Sequence, residues 1–280
     1  MEPASECPPR LVYETHSHTP LCKHAEGEPE DYARRAWERG MKGLTITCHG
    51  PLPDDLSASV RMTPEQFPQY LDLVAGAREV WAGRVDVLLG LESDYLPGLE
   101  DWIEALHKRA DFHYVLGSVH PHIREYRERY YSSGWADFHR GYFGHLADAA
   151  ETGLFDCLAH PDIVKNLGPA EWDIDALMSD IRRALDRIAA TGIAMELNTS
   201  GVNKVVPEMN PAPQILREMY LRGIPVVVGA DAHVPERVGD GYARAYDHLE
   251  AAGYDRVHHF IGRQKQSLAI TEARLSLQAA

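Results

Sequence analysis

Short runs of apolar and β-branched residues alternate along this chain with longer stretches in which apolar residues recur every three or four positions. The short runs predict strands, and the longer stretches predict helices that each bury one face. The predicted strands are residues 11–16, 43–48, 85–91, 112–118, 157–159, 193–197 and 225–229, with a weaker eighth at 257–261. The predicted helices are residues 29–39, 63–82, 173–190, 211–222 and 241–252.

This alternation of strand and helix indicates a parallel sheet covered by helices. No linker or change in composition interrupts it, so we expect one domain over residues 1–280, with residues 1–10 as a loose N-terminus. A closed or nearly closed α/β barrel is the simplest architecture, and a doubly wound open sheet is the alternative. Residues 121–133 (PHIREYRERYYSS) are charged and aromatic, and we interpret them as a loop that could act as a lid.

Charge and cysteine content limit the possible partners. The formal net charge is -14, from 28 basic and 42 acidic residues, which disfavours nucleic acid as a partner. The chain has no apolar run near the ~20 residues that span a bilayer, so no membrane association is expected. Cys7, Cys22, Cys48 and Cys157 have irregular spacing, which is typical of free thiols in the cytoplasm.

Histidines and carboxylates stand where the predicted strands end. His16 and His18 are two positions apart at the end of the first strand, and side chains two apart in a strand point the same way. The full set is His16, His18, His24, His49, Glu92, His120, His160, Asp231 and His233. In a parallel barrel the carboxyl ends of all strands lie on one face, so these residues should converge there.

A site of imidazoles and carboxylates suits divalent ions such as zinc, manganese or iron. The set is too large for one ion that keeps open positions, and it suits two or three ions that share a bridging carboxylate. Glu92 has a rival in Asp94, two residues on and on the same face. Glu196 is interpreted as a residue that supports the ligands, and the histidines on helical stretches, such as His248, as ordinary surface or core residues.

The motifs HSHTPLCKHA, TCHG, GLESDY, GSVH, AHPD, ELNTSG and GADAH resemble those of the polymerase-and-histidinol-phosphatase (PHP) family. The resemblance extends from about residue 12 to residue 233 and is greatest with its stand-alone histidinol-phosphate phosphatases. It implies a distorted TIM-like (β/α)₇ barrel and a trinuclear metal site. By motif position, one ion would be held by His16, His18, Glu92 and Asp231, a second by Glu92, His120 and His160, and a third by His24, His49 and His233.

The resemblance also implies hydrolysis of a phosphate monoester, most simply L-histidinol phosphate in histidine biosynthesis. Metal ions can activate water for in-line attack on phosphorus, and Glu92, His120 and Asp231 are the expected catalytic residues. Five further residues are candidates for binding the substrate: Lys165, Lys204, Asn198, His122 and Arg127. Position 203 departs from the family pattern, because Asn203 stands where an arginine is usual.

Three other functions remain open. A PHP phosphoesterase could act on another small phosphate ester or on a nucleotide. A metal-binding PHP scaffold would have the same ligands without turnover, although the complete ligand set argues against it. A barrel amidohydrolase also uses an H-x-H pair and a late aspartate, but His24, His49 and His233 would then be superfluous.

Overall fold

Seven parallel strands form the wall around which the rest of the chain packs. The computed structural model describes residues 9–278. The parallel strands are β1 (Tyr13–Ser17), β2 (Gly43–Ile46), β3 (Asp86–Asp94), β4 (Tyr114–Ser118), β5 (Cys157–Leu158), β6 (Ala194–Asn198) and β7 (Val226–Gly229). The helices are α1 (Pro29–Glu38), α2 (Phe67–Val80), α3 (Glu100–His107), α4 (Arg124–Tyr130), α5 (Trp135–Glu151), α6 (Ile174–Thr191), α7 (Pro213–Leu221), α8 (Tyr242–Ala252) and α9 (Ile270–Gln278).

The strands neighbour one another in sequence order, and the first meets the seventh. A parallel bridge joins Ser17 to Ala232, just beyond the end of β7. Around it the Ala232 amide donates to the His16 carbonyl and the His18 amide donates to the Ala232 carbonyl, both at 2.9 Å. The expected TIM-like barrel of seven βα units is therefore confirmed, and the open sheet is not formed.

A hairpin covers the amino-terminal end of the barrel strands. The predicted eighth strand is present as β8 (Arg256–Ile261), and the strand after it, β9 (Gln264–Ala269), was not predicted. β8 pairs with β7 only at Val227 and His258. Phe260 stacks on Tyr114, with ring centroids 5.2 Å apart, in an apolar cluster with residues of β5, β6 and β7.

Helix α6 shows why the amphipathic pattern was informative. Its N-cap Asp173 accepts hydrogen bonds from the amides of residues 175 and 176, which satisfies two otherwise unpaired donors. Its buried positions include Leu177, Ile181, Leu185 and Ile188, which recur every three or four residues. The chain leaves the helix at Gly192 with φ 74°, a conformation that glycine adopts without steric cost.

Residues 121–133 differ from the expected loop, because they contain helix α4. Tyr126 buries its ring and donates its hydroxyl to Nδ1 of His145 at 2.6 Å. Arg124 and Glu128, four residues apart, form a surface ion pair at 2.7 Å that suits a helix. The buried Tyr126 and the ion pair between residues four apart thus both favour a helix in this charged segment.

The expectations for the N-terminus and the cysteines are tested in part. Residues 1–8, including Cys7, lie outside the described residues. Arg10 donates to the carbonyl of Trp37 at 2.6 Å and lies over its ring, so this residue of the predicted loose segment is anchored. The other three cysteines are buried and free. In the described part of the chain, no helix is both long and apolar enough to cross a membrane.

A buried carboxylate reinforces the junction between the first and last barrel strands. Glu14 is fully buried, and its Oε1 accepts hydrogen bonds from the amides of Thr15, His16 and Ala230 at 2.9–3.0 Å. Its Oε2 accepts from the Gly239 amide at 2.7 Å. One side chain on β1 therefore holds backbone on both sides of the seam that closes the barrel.

Glu14→Gln should destabilise the protein by about 2–3 kcal/mol, because hydrogen bonds to a charged acceptor are worth more than neutral ones and the new amide group would face a backbone donor. The free energy of unfolding in urea, at fixed metal concentration, measures this effect. Glu65→Gln changes an exposed carboxylate and serves as the control. Equal stability of Glu14→Gln and the wild type would contradict the role assigned to Glu14.

Candidate metal centre

The predicted histidines and carboxylates surround a cavity of about 250 Å³ at the carboxyl ends of the strands. Its lining consists of His24, His49, Glu92, His120, His122, His160, Ile163, Lys204, Asp231 and His233. His16 and His18 lie beneath this lining and are fully buried. The structure thus brings together all nine residues that the sequence predicted as metal ligands.

Two of these residues adopt unusual backbone conformations. His160 follows β5 with φ 52°, and Asp231 follows β7 with φ 49°. Residues other than glycine rarely have positive φ, and such strain is concentrated at functional sites where the surrounding structure holds it. Both residues are buried, and both direct their side chains toward the shared carboxylate and imidazole cluster.

One oxygen of the Glu92 carboxylate faces the first group of imidazoles. Glu92 Oε2 lies 3.5 Å from His16 Nε2 and 3.7 Å from His18 Nε2. Asp231 Oδ1 approaches the same two nitrogens, at 3.7 and 3.2 Å. These two histidines and two carboxylates form a compact set of four potential ligands.

The other oxygen of Glu92 faces a second group. Glu92 Oε1 lies 3.3 Å from His120 Nε2 and 3.1 Å from His160 Nε2, and it accepts a hydrogen bond from Ser118 at 2.5 Å. The two oxygens of one buried carboxylate therefore point at two different histidine groups. This is the geometry expected of a carboxylate that bridges two ions.

A third group lies at the mouth of the cavity. Nitrogen atoms of His24, His49 and His233 all lie within 4.8 Å of one another. His49 also connects this group to Glu92, since its Nδ1 is 2.7 Å from Oε2 without the alignment of a hydrogen bond. The three groups match the three sets that the family resemblance implied.

A carboxylate outside the centre, Glu196, holds the ring of His16. His16 Nδ1 lies 2.8 Å from Glu196 Oε1, and the second oxygen of Glu196 accepts from the Asn198 amide at 3.0 Å. Gly229 permits this approach, since a Cβ there would collide with Glu196 and lie 2.8 Å from the His16 Cβ. Such carboxylates fix the ring orientation of a metal-binding histidine.

The unpaired buried atoms of the site test whether metal ions fit it. Within residues 9–278, several of these nitrogen and oxygen atoms are shielded from solvent and lack a hydrogen-bond partner. They are His16 Nε2, His18 Nδ1 and Nε2, His49 Nδ1, Glu92 Oε2, His160 Nδ1 and His233 Nε2. Buried polar groups without partners cost free energy, so such a cluster needs cations to satisfy it. The donor set therefore fits divalent metal ions.

The pKa shifts differ between the imidazoles: burial opposes the charged form of His18, but Asp231 outweighs it and raises the pKa of His18 to about 9. Burial lowers the pKa of His49 to about 4 and, together with nearby His18, that of His233 to about 3, so both rings keep a lone pair for a cation. Burial raises the pKa of Glu92, but the imidazoles of His49 and His120 outweigh it and hold this pKa well below the usual range. Burial likewise opposes the charged form of His120, yet Asp94 and Glu92 raise its pKa to about 10. A metal ion at His120 must therefore displace a proton.

The five predicted substrate-binding residues divide into two groups. Lys204 and His122 line the cavity, and Lys204 Nζ is 4.0 Å from Asp231 Oδ2. Lys165 does not line it, because it is fully buried and its ammonium binds Asp162 and the Met209 carbonyl, each at 3.0 Å.

Asn198 and Arg127 are also placed away from the cavity wall. Asn198 is fully buried, and its side chain bonds with Glu196 and Ser200. Arg127 is exposed on α4 and borders two neighbouring surface grooves. The structure thus gives Asn198 a supporting position and leaves Arg127 outside the cavity.

Near the centre, one residue has a different position from the expected one and another was not expected at all. The sequence suggested Asp94 as a competitor of Glu92, but Asp94 Oδ1 lies 2.8 Å from His120 Nδ1, where it can orient that ring. Arg61 is almost completely buried and donates to the other oxygen of Asp94. Asp94 could have been found from its spacing, whereas no sequence signal distinguishes Arg61 from a surface arginine.

Comparison with known proteins agrees with this geometry. A model of the PHP domain matches residues 14–200. The chain is 39% identical over 251 residues to a protein of Deinococcus radiodurans named a probable histidinol-phosphatase, covering 86% of this chain and 93% of that one. It is 24% identical over 260 residues to the histidinol-phosphatase of Bacillus subtilis, covering 81% and 95%.

Among solved structures, the fold is similar to that of histidinol phosphate phosphatase from Lactococcus lactis, which was crystallised with zinc, L-histidinol and phosphate. The TM-score is 0.77 at 17% sequence identity, covering 91% of this chain and 98% of that one. The domain match and the Deinococcus relative, each extending over most of the chain, show that this protein belongs to the PHP family.

Proposed function

We propose that this protein is a metal-dependent phosphoric monoester hydrolase that converts L-histidinol phosphate to L-histidinol and phosphate. The central observation is the position of Glu92, whose two carboxylate oxygens face two separate histidine groups within a buried cluster that contains several unpaired polar atoms. The named functions of the relatives support the choice of substrate.

Each group of imidazoles would hold one ion, with Glu92 shared between the first two. His16, His18 and Asp231 would complete the first position, and His120 and His160 the second. His24, His49 and His233 would form the third, at the mouth of the cavity. When bound, such ions supply an activated water and neutralise the charge that develops on the phosphoryl oxygens.

The charge of the cavity favours an anionic ester despite the net charge of the chain. Glu92 and Asp231 are the two carboxylates of the described residues that line it, and imidazole ligands are neutral. Two carboxylates cannot neutralise two or three divalent ions, so a loaded centre carries excess positive charge. That local charge attracts a phosphate dianion, although the formal net charge of the protein is -14.

Lys204 is placed to hold the substrate phosphate. It follows the short 3₁₀ turn Thr199–Asn203, its side chain is 33% exposed, and it lines the cavity. An ammonium at this place can bind a phosphoryl oxygen without leaving its contact with Asp231. His122 and Ile163, which also line the cavity, offer a ring and an aliphatic surface for the organic part of a small ester.

The protein loaded with zinc or manganese should release phosphate from L-histidinol phosphate with a larger kcat/KM than from an aryl phosphate or a nucleoside monophosphate. Protein stripped of metal by a chelator should be inactive, and restored metal should restore the rate. Faster turnover of another ester would reassign the substrate within the same chemistry. No phosphate release from any ester by the loaded protein would indicate a scaffold without turnover.

Glu92→Gln should lower kcat/KM by at least about 100-fold, since removal of a bridging charge loses several kcal/mol of transition-state stabilisation. His120→Ala should act in the same direction, because it removes a nitrogen from the second position. His248→Ala deletes an imidazole on α8 that does not line the cavity and should retain full activity. Wild-type rates for Glu92→Gln in a folded, metal-loaded sample would remove Glu92 from the reaction.

Lys204→Met should raise KM by about 10-fold with a smaller change in kcat, because it removes one ion pair to the bound phosphate. Steady-state kinetics with L-histidinol phosphate measure this split. Lys108→Met is the matched control, because Lys108 is an exposed lysine that also pairs with a carboxylate, Glu104, but does not line the cavity. An unchanged KM in Lys204→Met would place the phosphate elsewhere in the cavity.

A further inference from the structure

We propose that Arg61 is a positioning residue of the metal centre: its buried guanidinium holds Asp94, and Asp94 holds His120 with Nε2 directed at Glu92. This inference rests on the proposed metal centre, but it assigns a role to a side chain that touches neither substrate nor ions. It follows from three consecutive contacts and from the burial of all the groups involved.

Arg61 is one of the largest fully buried side chains of the described part of the protein, with 1% of its surface exposed. It follows the short 3₁₀ turn Ala58–Val60 in the long connection between β2 and α2. A guanidinium is costly to bury unless its donors find partners. A long charged side chain in this position therefore requires an explanation.

The two partners of Arg61 both belong to the rim of the metal centre. One terminal nitrogen donates to the carbonyl of Gly50 at 2.9 Å, and Gly50 directly follows His49. The other donates to Asp94 Oδ2 at 2.5 Å. Since the Gly50 amide also donates to the Glu92 carbonyl at 2.8 Å, the guanidinium joins the ends of β2 and β3 where both carry ligands.

Asp94 transmits this constraint to the next strand. Its Oδ1 lies 2.8 Å from His120 Nδ1, so the ring donates from Nδ1 and leaves Nε2 as the ligand atom. His120 Nε2 is 3.3 Å from Glu92 Oε1, on the side that also faces His160. Asp94 is thereby held by an arginine on one oxygen and holds a histidine with the other.

Only arginine can make both connections. Its planar guanidinium presents donors in fixed, diverging directions, whereas the lysine ammonium is a single point charge on a flexible stem. Without a cation, the buried Asp94 would keep an uncompensated charge and be free to turn toward the ions. Asp94 therefore orients His120 because Arg61 fixes the direction of its carboxylate.

The test compares zinc binding in Arg61→Met, Arg61→Lys and the wild type, using competition with a chelator and metal analysis of the dialysed protein. We expect Arg61→Met to bind one of its zinc ions about 10- to 100-fold more weakly, the usual effect of removing a residue that orients a ligand. The zinc affinity of Arg61→Lys should lie between those of Arg61→Met and the wild type, because lysine keeps the positive charge but lacks the two diverging donors of the guanidinium. Circular dichroism verifies that each variant is folded.

Arg263→Met is the matched control. Arg263 also pairs with a partly buried aspartate, Asp156, at 2.5 Å, but in the hairpin region at the opposite end of the barrel. This variant should lose stability and bind zinc as the wild type does. Equal weakening in Arg263→Met and Arg61→Met would show a general effect of instability and overturn the proposal.

Two further results would also overturn it. One is wild-type zinc affinity in folded Arg61→Met or, if that variant does not fold, in Arg61→Lys. The other is a nitrogen NMR spectrum of the zinc-loaded wild type in which His120 carries its proton on Nε2. Because no substrate is used, these outcomes are independent of the phosphatase assay: absent turnover with normal zinc binding counts against the proposed function alone.

Discussion

The whole centre depends on closure of the barrel between its first and seventh strands. His16 and His18 stand on one side of that seam and Asp231 on the other, and the backbone bridge between Ser17 and Ala232 brings them together. Glu14 strengthens the same seam from beneath with hydrogen bonds to Ala230 and Gly239. Residues 213 or more positions apart in the sequence could share an ion only if the ring is complete, so the proposed chemistry depends on the fold.

Closure of the barrel buries polar atoms of the candidate metal centre for which the described part of the chain supplies no hydrogen-bond partner. The buried imidazoles and the Glu92 carboxylate have polar atoms without partners, which destabilises the metal-free protein. A cation that binds the folded state and not the unfolded chain returns that stability by mass action. The cluster therefore lowers the stability of the metal-free protein and raises its affinity for cations, a compromise that is common at functional sites.

The convergence of the strand-end histidines and carboxylates was predictable because it requires only the alternation of strand and helix. In contrast, side chains whose direction is set by distant segments were not. Lys165 lies one short turn beyond His160, near enough in sequence to suggest the cavity, but Asp162 and Met209 hold it inside the protein. Asn198 shares a strand face with Glu196, as its spacing indicates, and its side-chain amide donates a hydrogen bond to that carboxylate.

Local polarity was equally misleading for α4 and for Arg61. The sequence around Tyr126 is charged enough to suggest a loop, yet it forms a helix that buries one ring and has one ion pair at helical spacing. Arg61 stands in an irregular connection without any periodic pattern, so nothing in its neighbourhood indicates burial. Its partners at Gly50 and Asp94 become visible only when the strand ends are assembled.

The two sides of the Glu92 carboxylate are supported in different ways, and this difference has a physical consequence. On one side, Glu196 faces His16 and accepts a hydrogen bond from the neutral side-chain amide of Asn198. On the other side, Asp94 faces His120, and the guanidinium of Arg61 partly neutralises the charge of Asp94. A carboxylate that keeps its full charge makes its histidine a stronger electron donor than one that is shared with a cation. A metal ion held by His16 would therefore be bound more tightly than one held by His120, and an ion at His120 would be the stronger acid toward water and phosphate.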